Sequence, residues 1–165
     1  MQEITDVYLR TLREIANRSN QIIVLSIIAV LGSTILAYEY GKDASVPLIG
    51  ITTTPGRATL TLLVIYFLLG FVGINIRARW ESNLEMLAKE NPKLKSAVIL
   101  FPCIFNSGPV LKILTILLSI GALEITFQSG EKPMGWATGL IVAILLASPY
   151  IRMFMPLFLR TRTPD

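Results

Sequence analysis

The chain has 165 residues, 53% of them hydrophobic and 16% charged, with a mean hydropathy of +0.62. A soluble domain carries about 25% charge, so the chain reads as a membrane protein, and its connections fall short of the roughly 50 residues of a minimal soluble catalytic or nucleotide-binding domain. With no histidine and one cysteine, Cys103, it lacks the residues for His/Cys zinc sites, His-ligated haem, cysteine-ligated iron–sulfur clusters, an intrachain disulfide or a histidine-based triad.

Residues 1–18 read as an amphipathic helix, with Ile4, Val7, Tyr8, Leu12 and Ile15 at spacings of three and four and charges on the other face. Two placements are open: in the plane of the membrane interface beside anionic lipids, or packed on the rest of the protein. The charges argue against a secretory signal, and Gln2 against N-myristoylation. A first span follows at about residues 20–38, closed by Tyr38 and Tyr40 at the aromatic belt. Residues 39–57 form a loop, where Thr52–Thr54 suit a short extended segment before the turn at Pro55-Gly56.

The second span, about 58–76, continues past the membrane surface. Arg77, Arg79 and Trp80 mark the interface; beyond it Trp80, Leu84 and Leu87 keep the stripe, Glu85 and Lys89 pair at i,i+4, and Pro92 ends the pattern. One helix of about 32 residues would be roughly 48 Å long, so a third of it projects into the cytosol. Residues 97–105 are apolar, interrupted by Pro102 and too short to span. They read as a packed or interfacial segment, or else as a re-entrant one.

Asn106-Ser107-Gly108-Pro109 is a helix start. It opens a third span over about 109–127, with Lys112 placed to snorkel. The fourth span, about 135–151, has Trp136 at its outer boundary and Pro149, Arg152 and Pro156 at its inner one, before a tail over 152–165.

Lys and Arg set the orientation. Eleven fall in the N-terminal segment, the 77–95 stretch and the tail, against three (Lys42, Arg57, Lys132) in the two opposite loops. Both termini and the loop 77–108 are therefore expected in the cytoplasm, and an even number of spans agrees with both termini on one side. The expected fold is an all-α membrane protein: one polytopic domain over 1–165, four transmembrane helices, an N-terminal amphipathic helix, and a second helix extended into the cytosol. A bacterial inner membrane is the expected location.

Small residues recur at intervals of four on the fourth span, at Gly135, Gly139, Ala143 and Ala147, and on the first at Ala29, Ser33 and Ala37. Such stripes allow close helix approach, within the chain or between subunits, and the first is a natural partner for the other. Gly70 and Gly73 make a weaker repeat. Glu124 is the one carboxylate inside an apolar run, a candidate pore or ion site, or else an outer-boundary acid paired with Arg57 or Lys132. Arg77, Arg79, Trp80, Glu81, Glu85, Lys89, Lys93 and Lys95 are candidate contacts for a partner or for lipid.

No catalytic, cofactor or metal motif is present. The basic excess (net charge +4) comes without a nucleic-acid-binding motif, so nucleic acid is not expected as a partner. The leading functional reading is a non-enzymatic, homo-oligomeric membrane subunit that anchors or senses membrane state for a cytosolic protein, as in a bacterial stress or phage-defence pair. The second is a small oligomeric channel lined by Glu124, Thr52–Thr54 and the 97–105 segment. A compact membrane enzyme using Arg77, Arg79, Arg152, Tyr150 and Glu81 comes third, because no spacing supports it.

Overall fold

The computed structural model describes residues 2–38, 55–91, 94, 98, 102–129 and 133–154, with side chains from residue 5 onward. Among these the protein is helical, without strands, in four long helices: α1 (Gln2–Tyr38), α2 (Pro55–Glu90), α3 (Pro109–Ser129) and α4 (Trp136–Phe154). A short 3-10 turn at Ile104–Asn106 precedes α3. All four helices are long and apolar enough to cross a membrane.

Proline opens α2 and α3, where its missing N–H costs nothing and its fixed φ suits the first turn. Lys112 N donates to Gly108 O and Gly139 N to Gly135 O, closing the first turns of α3 and α4. Pro149 does not end α4, which runs through it to Phe154. Without an N–H at 149, the carbonyl of Leu145 loses its i+4 donor.

The segment 1–18 and the first span are not two elements. They form one unbroken helix of 37 residues. The polar run Asn17-Arg18-Ser19-Asn20 contains no Gly or Pro, and it sits on the helix without breaking it, Asn17 and Arg18 exposed and the other two bonded. Ser19 Oγ donates to Ala16 O, and Asn20 reaches across to the segment before α3. At 1.5 Å per residue α1 and α2 are each about 55 Å long, nearly twice an apolar bilayer core.

α1 packs along α2 and α3, and α4 packs along the same two helices. The order around the bundle is therefore α1–α2–α4–α3, with α1 and α4 on a diagonal. Leu12, Ile15 and Ala16 of α1 join Trp80 and Leu87 of α2, with Val98, Cys103 and Phe105, in the same buried cluster as Tyr66, Ala143 and Tyr150. One core thus runs from the four-helix region into the paired extensions of α1 and α2. The outward faces, including Val24, Leu31, Leu68, Leu117 and Leu145, are exposed and apolar, compatible with lipid contact.

Candidate functional site

Polar side chains gather inside the bundle at three heights. At the end where α1 and α2 extend, Arg77 is buried, 5% exposed. Its Nε and Nη2 donate to Glu81 Oε1 at 2.9 Å each, and its Nη1 donates to the Met153 carbonyl in the last turn of α4. A cation at a helix C-terminus also complements the helix dipole. The guanidinium carbon stands 5.9 Å from the Phe105 ring centroid, and Trp80 tilts against the same ring at 6.2 Å.

The segment carrying Phe105 is clamped from several sides. Asn20 Nδ2 donates to Pro102 O at 2.8 Å while Asn20 Oδ1 accepts from Ile104 N at 3.1 Å. Lys112 Nζ, also buried, donates to Phe105 O at 2.8 Å. Cys103 is a buried free thiol, its Sγ 3.2 Å from Ser19 Oγ. The described part of 97–105 is thus packed against α1, α2 and α3.

Midway along the bundle, Tyr150 of α4 ties three helices together. Its hydroxyl lies 2.6 Å from Ser26 Oγ of α1 and donates to Tyr66 O of α2 at 2.7 Å. Ser26 also donates to Ile22 O at 2.7 Å, so three short contacts share two protons. The Tyr66 and Tyr150 rings stack with centroids 4.5 Å apart. Tyr66 OH is buried without a hydrogen-bond partner among the described residues.

At the far end, Glu124 of α3 turns towards Gly139 of α4. A Cβ at residue 139 would stand 2.9 Å from Glu124 Oε2 and 3.0 Å from Oε1. Gln128 Nε2 donates to Oε1 at 2.6 Å, while Oε2 is buried without a partner among the described residues. On the other side of α3, Thr34 of α1 meets Thr126 Oγ1 at 3.0 Å and donates to Ala122 O at 3.2 Å.

Gly139, Ala143 and Ala147 are buried inside the chain, as are Ala29, Ser33 and Ala37. The two stripes sit on diagonal helices, so each borders α2 and α3 more than the other, because α1 and α4 are not neighbours around the bundle. Gly135 precedes α4 with open space around it. The tightest approach falls instead at the weaker repeat: a Cβ at Gly70 would lie 2.7 Å from Pro149 Cβ, and one at Gly73 2.6 Å from Met153 Sδ.

Of the candidate contact residues, Arg79, Glu85 and Lys89 are exposed, whereas Arg77 and Trp80 are buried and Glu81 is engaged by Arg77. Lys93, Lys95 and Thr52–Thr54 lie outside the described residues. Tyr66, Ser26, Asn20 and Lys112 are polar anchors that the sequence reading left unremarked or gave another role. For Arg77 a signal existed: Tyr66, Gly70, Gly73, Arg77 and Trp80 follow one another at spacings of three and four, on one face of α2.

The interior polar groups mostly join one helix to another. No family model matches the chain, and neither a curated protein nor a solved structure is similar to it.

Proposed function

We propose that the chain is a non-enzymatic membrane subunit of a bacterial inner membrane, with both termini in the cytosol. It assembles with copies of itself and anchors, or senses membrane state for, a cytosolic protein. The observation that carries this reading is the pairing of α1 and α2 well beyond the length of a span, around a shared core that includes Leu12 and Leu87. Two packed helices form a rigid stalk, and exposed Asp6, Arg10, Lys89 and Glu90 give its surface mixed charge of the kind a protein partner can match. Arg77 joins the stalk, through Glu81, to the end of α4, so movement of the helices within the bilayer is coupled to the presented surface.

The test is mild extraction from the native host with identification of the chains that co-purify. Arg10→Ser with Lys89→Ser should release a stoichiometric cytosolic partner while leaving membrane insertion intact. Co-purification unchanged by these substitutions would overturn the docking surface. A closed homo-oligomer with nothing attached would contradict the reading and direct attention to ion flux.

A further inference from the structure

Three arginines, Arg18, Arg79 and Arg152, stand near the end of the four-helix region from which α1 and α2 extend. Asn20 of α1 is bonded to Pro102 and Ile104, the adjoining Phe105 lies against Arg77 and Trp80 of α2, and Arg77 is bonded to Met153 of α4. Those links bring Arg18, Arg79 and Arg152 to the same end of the bundle: Arg152 adjoins Met153, which meets Gly73 of α2, and Arg79 stands about 10 Å further along the axis. All three are exposed, and none of the guanidiniums forms an ion pair or hydrogen bond with a described residue.

They also share one side of the bundle. Arg79 is on the outer face of α2. Arg18 comes close to four turns before Gly32, whose neighbour is Leu62 of α2. Arg152 follows Pro149 by three residues, on the flank of α4 that meets Gly70 of α2. At the corresponding end of α3 the lysine, Lys112, is buried and bonded to Phe105 O.

We propose that Arg18, Arg79 and Arg152 form a binding surface for anionic phospholipid headgroups, centred on the outer face of α2. Seven residues from each arginine towards the bilayer, on the same helix face, stands an exposed apolar side chain: Leu25 (51%), Val72 (46%) and Leu145 (61%). Seven residues are about 10 Å of helix, so acyl chains along this face bring lipid phosphates beside Arg18 and Arg79, and the long Arg152 side chain extends along α4 to reach them. Guanidinium binds phosphate through two parallel hydrogen bonds, and these three have no competing partner among the described residues. The surface deepens the proposed function by naming the lipid that a membrane-sensing subunit responds to, and it rests on that reading for its cytosolic placement.

The test uses the full chain reconstituted in vesicles of phosphatidylcholine mixed with phosphatidylglycerol, then released in mild detergent for native mass spectrometry of retained lipid. The wild-type chain should retain phosphatidylglycerol over phosphatidylcholine. Each of Arg18→Gln, Arg79→Gln and Arg152→Gln should lower that preference about fivefold, and the triple variant about a hundredfold. Removing three charges elsewhere, with Arg10→Gln, Arg57→Gln and Lys89→Gln, should leave it unchanged. A wild-type chain without preference, or an equal loss in the second triple variant, would overturn the proposal. Retention of lipid by a chain whose stalk is found outside the cytosol would instead contradict only the cytosolic placement.

Discussion

Two tyrosines stacked on each other should respond in opposite ways to losing a hydroxyl. Tyr150 OH holds Ser26 and the Tyr66 carbonyl, so Tyr150→Phe should destabilise the bundle by about 1 kcal/mol. Tyr66 OH is buried without a partner among the described residues, so Tyr66→Phe should be neutral or slightly stabilising, with the ring stack retained. Thermal unfolding in detergent measures both, and equal losses would contradict the assignment of the hydrogen bonds. The glycines sort by the stiffness of what they meet. Gly70→Ala drives a methyl into a proline ring and a tyrosine ring and should cost about 2–3 kcal/mol, whereas Gly73→Ala meets a flexible methionine and should cost less. Gly139→Ala should displace the Glu124 carboxylate, and combining it with Glu124→Ala should recover part of its cost.

Among the elements, the spans were legible because runs of about 20 apolar residues leave little choice, and Pro92 and Pro109 announced where α2 ends and α3 starts. What the sequence obscured was the continuity of α1. Asn17-Arg18-Ser19-Asn20 has the polarity of a boundary, yet Ser19 bonds along the helix and Asn20 across the bundle, while Asn17 and Arg18 lie on its exposed face. Arg77 and Lys112 misled for a related reason. Charge at a membrane surface is ordinarily read as exposed, and only the tertiary arrangement supplies the Met153 and Phe105 carbonyls that let these cations be buried. Gly139 looked like a helix-packing glycine, but the group filling its notch is a carboxylate that no spacing rule places there. The clamp on the segment before α3 is directly testable. Asn20→Ala removes both of its bonds and should open residues 102–107 to limited proteolysis, while the four helices stay protected. Cleavage no faster than in the wild type would show that other contacts suffice.

For the whole molecule, Arg77 links the two parts of the bundle by joining α2, the Glu81 carboxylate on the stalk and the end of α4. Arg77→Ala should cost about 2–3 kcal/mol in unfolding, and Arg77→Lys should not restore it, because an ammonium cannot reproduce the fork that reaches both partners. The account as a whole depends on the paired extensions of α1 and α2 standing outside the bilayer on the cytosolic side. The most direct measurement uses single cysteines in a Cys103→Ser background, probed with a membrane-impermeant maleimide. Met86 is exposed on the extension of α2, and Ser45 belongs to the loop expected on the opposite side. The account predicts that Ser45→Cys is labelled in intact cells and Met86→Cys only once the inner face is opened. Labelling of Met86→Cys in intact cells, or its protection from both sides, would contradict it.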